Sequence, residues 1–239
     1  MMIVPIDRWY LRYLKKLDKQ DLFFASYGSF VHRIINYYYK GVIQEEGLRD
    51  YYLREFRNEV MGAAPSVKVF EKYFLDGLNY FNNFSQLPFN PVDTEIKINY
   101  KINRMPMVAI IDYLGEAEDG FVIVDHKSRN LKPRSNRSKP TKTDFELNSY
   151  LVQLYLYAEA VRQQYGELPK WLCFNCFRTN TLIKEPFDDE AFLHAKSWLK
   201  DKVKEISNET EFKPNAEWFK CQYLCDLKDK CEYFDLIMR

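Results

Sequence analysis

Residues 110–129, IIDYLGEAEDGFVIVDHKSR, limit what this chain can fold into more than any other stretch. Two apolar runs flank a polar segment, GEAEDG, at 115–120, which is the pattern of two strands joined by a turn. Each run carries a charge where a half-buried strand would prefer an apolar side chain: Asp112 in the first, Asp125 and Lys127 in the second. Charges in such positions cost stability unless they are paired, and local violations of sequence rules often mark function. Strand parity sharpens the point. With Asp112 set opposite Ile123, the period of two puts Asp112, Asp125 and Lys127 on one face, the two carboxylates diagonal to each other. His126 then points to the other face as a structural residue. A register slip of one residue would separate the aspartates.

The surroundings predict an α/β (α+β) chain: a central mixed sheet flanked by helices, with a helical N-terminal part. Residues 1–92 read as that part, with a helix to residue 17 that follows the Pro5–Ile6–Asp7 start, a stretch over 21–42 that is helical from Tyr27 onward, and helices over 45–61 and 67–84, broken by Gly41, Pro65 and the Pro88/Pro91 loop. The stripe of the last is Phe70, Phe74, Leu78 and Phe84. Residues 93–187 read as the core. Strand 93–102 alternates, with Ile96, Ile98, Tyr100 and Ile102 on one face and Glu95, Lys97 and Asn99 on the other. A helix follows over 144–165 and a strand over 171–179, in which Cys173 and Cys176 face opposite ways and read as core cysteines. Residues 188–239 hold a helix over 188–206, capped by Asp188 or Asp189, and a cysteine-containing tail; the three parts read as one domain.

Several side chains lie where they could serve the hairpin. His32 follows Gly28 by one helical turn and shares its face. It is either a histidine packed among tyrosines or a ligand aimed at the hairpin, with Gly28 allowing close approach. Glu95 is either a solvated strand residue or a fourth charge in the same cleft. Gln153 and Tyr157 share a helix face, the glutamine standing in a stripe of Leu and Tyr. Residues 130–143, NLKPRSNRSKPTKT, contain Lys132, Arg134, Arg137, Lys139 and Lys142 and no acid. Such a run is either a solvated loop or a segment that contacts phosphates.

Composition narrows the function. At 239 residues with 46% hydrophobic and 29% charged residues, the chain can bury a sizeable core. No run of ~18 apolar residues marks a membrane span, the start lacks a signal-peptide pattern, and the cytoplasm is the expected compartment. A net charge of +1 confines any nucleic-acid surface to a local patch. Five cysteines, an odd count, argue against a disulfide framework. Cys221, Cys225 and Cys231, spaced C-x3-C-x5-C, suggest zinc or an iron–sulfur centre, although the fourth ligand is not visible.

Taken together, Gly28-x3-His32, Asp112, Asp125-x-Lys127, Gln153-x3-Tyr157 and the clustered cysteines occur in an order that resembles the PD-(D/E)XK nuclease superfamily, in particular its RecB-like exonuclease branch, similar to CRISPR-associated and AddB-type nuclease domains. The resemblance runs from about residue 27 to the end. It implies a restriction-endonuclease-like core and a metal-dependent DNA nuclease, an exonuclease of recombination or repair in a phage or bacterium, with a helicase or recombination protein as partner. By the same resemblance His32, Asp112 and Asp125 bind Mg2+ or Mn2+, Lys127 is the catalytic lysine, and Gln153 and Tyr157 position the lysine and the DNA; Glu95 matches an acidic strand residue. Two departures stand out. Ala109 occupies a position that is often glycine. No cysteine precedes Cys173, so the one-plus-three cysteine plan of the family's iron–sulfur members is incomplete, and a lost cluster, zinc with another ligand, or recruitment of Cys173 or Cys176 stay open. The rival functions are a silent DNA-binding or recombination-partner module of the same fold, against which the complete Asp–Asp–Lys set argues, and an RNA nuclease.

Overall fold

A computed structural model describes residues 10–213, 217–231 and 233–234. The start of the helix expected after Asp7 lies outside the described residues; from Tyr10 to Leu14 the chain makes one π-helical turn. Three helices follow: α1 (Phe23–Tyr39), α2 (Glu45–Glu59) and α3 (Val67–Asn82). Gly41, at φ 69°, lies just past α1, where a left-handed residue ends a helix. Ser66 caps α3 by accepting from the Val69 N–H. These helices bury an aromatic cluster that includes Phe23, Tyr27, Phe30, Tyr52, Phe56 and Tyr80. On α3 the deepest apolar residues are Tyr80 and Phe81; the expected stripe of Phe70, Phe74, Leu78 and Phe84 packs at the margin of the cluster.

The sheet comprises β1 (Asn90–Ile102), β2 (Met105–Ala117), β3 (Gly120–Lys127), β4 (Trp171–Cys176) and β5 (Thr181–Pro186), in spatial order 1-2-3-4-5. All neighbours are antiparallel except β3 and β4, which pair in parallel. That one parallel step needs a long crossover, supplied by α4 (Lys142–Tyr165). α5 (Asp189–Asn208), capped by Asp188, follows β5, and α6 (Trp218–Tyr223) lies in the tail. The sheet is mixed, flanked by helices and preceded by a helical part, as expected.

Alternation along the strands separates two faces. Leu114, Ile123, Leu172, Phe174 and Cys176 join the core beneath α4 and α5, whereas Tyr113, Val122, Val124 and Cys173 join a smaller cluster with Tyr39. Cys173 and Cys176 are thus buried free thiols on opposite faces. The structure corrects three sequence expectations. β1 begins at Asn90 and takes in Pro91, which an edge strand tolerates because no neighbour needs its missing N–H. β5 escapes a reading by period, since Thr181–Pro186 is too short and too polar to show one. The turn after β2 is only Glu118–Asp119, because Ala117 pairs with Gly120.

Helix α3 lies against α2 at Gly77, where a Cβ would run into the Tyr52 phenol. Tyr52 is fully buried and donates from Oη to the Phe74 carbonyl at 3.0 Å, so it has no room to retreat. Gly77→Ala should therefore destabilise the protein by roughly 1–3 kcal/mol through overpacking. Scanning calorimetry would show this as a lower Tm; an unchanged Tm would contradict the close approach of the two helices.

Candidate active site

The two-residue turn sets the register of β2 and β3. Tyr113 pairs with Val124 and Leu114 with Ile123, where the ladder ends; Asp112 and Asp125 are the next residues on the two strands, and the Asp112 charge bears on Asp125. The sequence expectation places Asp112 opposite Ile123. The true register differs by two residues, because the turn is centred between Glu118 and Asp119, and an even shift keeps both carboxylates on one face. On the other side of β2, Thr94 pairs with Tyr113 and Ile96 with Ile111, so Glu95 stands opposite Asp112. Three carboxylates therefore lie in a row across β1, β2 and β3.

The backbone is irregular at this row. Glu95 has φ 52°, a left-handed conformation that costs energy in a non-glycine residue. Alternation breaks there too: Tyr113 belongs to the cluster under the N-terminal helices, while Ile111, two residues away, belongs to the core under α4.

Helix α1 brings His32 to the row. Its Nδ1 lies 3.5 Å from Asp112 Oδ2, which also accepts from the His126 backbone N–H at 2.7 Å. Ligand atoms of His32, Glu95 and Asp112 all lie within 4.8 Å of one another. Oxygen and nitrogen ligands of one small hard cation, at about 2.1 Å from it, are at most about 4.2 Å apart. The triplet thus fits such an ion after a small closure. Asp125 stands outside the triplet. Its Oδ2 lies 2.5 Å from Lys127 Nζ, and both side chains are largely shielded from solvent. The Lys127 ammonium also lies over the Tyr150 ring, 5.8 Å from its centroid.

Electrostatics follow from this geometry. Burial would raise the Asp112 pKa, but His32 and the His126 N–H outweigh it and hold the carboxyl down at about 2. Burial, with the neighbouring Asp112 charge, leaves Asp125 raised despite Lys127. Glu95 is raised by burial and by Asp112. Burial would lower His32, yet the charges of Asp112, Asp125 and Glu95 leave it raised. Three facing carboxylates outnumber the one ammonium beside them, so the set suits a further cation.

The remaining predicted residues divide. Gln153 Nε2 donates to Tyr157 Oη at 2.8 Å, and the Tyr157 phenol, raised chiefly by burial, also feels the charges of Asp125 and Asp112. His126 is buried, its pKa lowered by burial to about 3, and its Nδ1 meets the Asn175 amide at 3.1 Å. It is a structural residue whose ring also packs edge-on against His32. Gly28 lines a cleft of about 780 Å³ with His32, Lys127, Ser128, Arg129 and Tyr150. A Cβ on Gly28 would meet only Ser128 Oγ, at 3.9 Å, so no close packing demands glycine there. In the basic loop, Lys132, Arg137, Lys139 and Lys142 are exposed and make no ion pair among the described residues, whereas Arg134 pairs with Glu185 at 2.7 Å. Cys221, Cys225 and Cys231 are half-buried, and their thiols do not assemble into a ligand group among the described residues.

A model of the PD-(D/E)XK nuclease superfamily matches residues 7–232. The chain belongs to that superfamily. The mixed sheet with its flanking helices is the restriction-endonuclease-like fold of these nucleases, and the protein is a nuclease by family. Among solved structures, a protein of Eubacterium rectale described as "Putative exonuclease" is similar over 89% of this chain and 84% of its own, with 11% identity and a TM-score of 0.49. The crystal structure of SSO0001 is similar over 95% and 94%, with 14% identity and a TM-score of 0.33. No curated protein matches in sequence. No described helix is long and apolar enough to cross a membrane.

Glu95 is the residue that sequence reasoning leaves outside the chosen site. Its only signal is an acid on the alternate face of β1; its left-handed backbone is invisible in sequence. In a chelator-containing buffer Glu95→Gln should raise Tm, because it removes one of the facing charges. Added Mn2+ should raise Tm of the native protein, by linkage, and raise that of the variant less. A variant that gains as much from Mn2+ as the native chain would remove Glu95 from the site.

Proposed function

We propose that this nuclease is a metal-dependent deoxyribonuclease acting on strand ends, with a role in recombination or repair. The observation that carries the reading is the row Glu95–Asp112–Asp125, closed by His32 at one side and by Lys127 at the other. His32, Glu95 and Asp112, with Asp125 beside them, would hold magnesium or manganese, which would supply Lewis-acid activation of water and of the phosphate.

The chain's own groups do the rest. Lys127, held against Asp125 and Tyr150, places a fixed positive charge where negative charge grows on the phosphoryl oxygens. Asp125 fixes that ammonium and keeps it from being an unpaired charge. The Gln153–Tyr157 pair walls the site on the α4 side. The exposed cations of the basic loop hold the phosphate backbone, so binding is sequence-tolerant and salt-dependent.

End-labelled linear DNA, circular DNA and RNA, each with Mg2+ or Mn2+, provide the test. Release of nucleotides from linear DNA is expected, with circular DNA and RNA spared and chelation abolishing the reaction. Lys127→Ala should lower kcat by about 10²–10³-fold. Lys132→Ala and Arg137→Ala should each reduce the salt slope of DNA binding by about 1. Digestion of circular DNA at the same rate would overturn the exonuclease reading, and full activity in Lys127→Ala would overturn the site.

A further inference from the structure

A second cavity, of about 660 Å³, lies between α4, α5 and the end of β5. The helical repeat puts it on the flank of α4 opposite the site: Asn148, Val152 and Tyr155 face the cavity, while Tyr150 faces Lys127. Its polar edge is built from the basic loop. Arg134 donates from Nε to Glu185 Oε2 at 2.7 Å and from a terminal nitrogen to Asn148 Oδ1 at 3.0 Å. Glu185 is a buried carboxylate on β5 that the catalytic site does not use. Opposite stands Trp198, half-buried and without an aromatic partner among the described residues.

We propose that this cavity binds one nucleobase of the substrate strand, several phosphates away from the cleaved bond. The proposal rests on the nuclease reading for the strand's identity. The argument is a division of charge. At the rim Arg134 is neutralised by Glu185, and Asp188, which also lines the cavity, caps α5 by accepting from the Ala191 N–H, so the cavity offers no unpaired cation to a free phosphate or carboxylate. What remains is an apolar slot with an indole to stack on and a fixed set of donors and acceptors, which suits a neutral planar base with a hydrogen-bonding edge. Outside, the same loop exposes Lys132, Arg137, Lys139 and Lys142, which suit the phosphates on either side of that base. A nucleotide carries this division of apolar ring and charged link, whereas an acidic peptide would find no cation inside.

The test has two arms. Trp198 fluorescence is titrated with a single-stranded oligonucleotide in chelator, so that no cleavage occurs, with Trp198→Phe as the control for the other tryptophans. Quenching in the native protein that disappears in Trp198→Phe is expected; quenching that persists in Trp198→Phe, or equal quenching by an oligonucleotide of abasic residues, overturns the proposal. In the second arm Val152→Trp fills the slot, and cleavage is compared on a long oligonucleotide and on one too short to reach the cavity. The kcat/KM preference for the long substrate should fall about tenfold, the scale of one lost base stack; an unchanged preference overturns the proposal. Trp198 quenching in a protein that cleaves neither DNA nor RNA would support the cavity and sink the nuclease reading, so the two failures are distinguishable.

Discussion

Lys127 and Asp125 lie 2.5 Å apart, two residues apart on β3 and so on one face of it, and the registration of β2 on β3 decides that Asp112 is brought beside them. Attraction between shielded charges offsets their desolvation only in good surroundings, and here the face that the pair meets is set by a turn of two residues. Ala117 against Gly120 fixes Tyr113 against Val124, and so leaves Asp112 and Asp125 as the next residues of the two strands, near enough for the charge of one to act on the other. A longer turn by one residue would send Asp125 and Lys127 to the opposite face, into the cluster of Val122, Val124 and Cys173. That alternative buries two charges in an apolar cluster, so the same charges that make the site also disfavour the wrong register.

The N-terminal helices complete the site because His126 ties them to the sheet. Its backbone N–H holds Asp112, its ring nitrogen meets Asn175, and Asn175 donates to the Tyr80 hydroxyl on α3. Its ring edge also meets His32 on α1. One buried neutral imidazole thus links three elements. Its neutrality matters: a second cation beside Asp112 would compete with the ion that the carboxylates are arranged to hold. The aromatic cluster behind α1 makes the placement rigid, with Phe177, just past β4, packed against Tyr27 and Tyr80.

Much of this arrangement is legible in the order of residues alone. The helices announce themselves by period and by their stops. Parity puts Asp112, Asp125 and Lys127 on one face even with the register misjudged by two residues, because side-chain direction depends only on odd or even shifts. What is not legible has physical causes. The left-handed φ of Glu95 has no counterpart in residue type, since glutamate is a poor marker of that conformation. The tie of Arg134 depends on Glu185, which lies on a strand too short to show a period. The basic run looks uniform in sequence, yet its members have different fates.

That difference explains how a loop without regular structure keeps a shape. Hydrogen bonds from Ser135 and Thr141, through hydroxyl and backbone N–H groups alike, converge on Asp144 in the first turn of α4 and hold its carboxyl well below the usual carboxylate range. Arg134 anchors the preceding residues to Glu185. Between these two ties Arg137 and Lys139 can only face outward. A chain of net charge +1 has no long-range pull on a polyanion, so attraction must come from cations that are concentrated, oriented and not neutralised by neighbours. Committing one arginine and one aspartate to order leaves the remaining cations exposed on a loop that is already held, which lowers the entropy lost when a strand is bound.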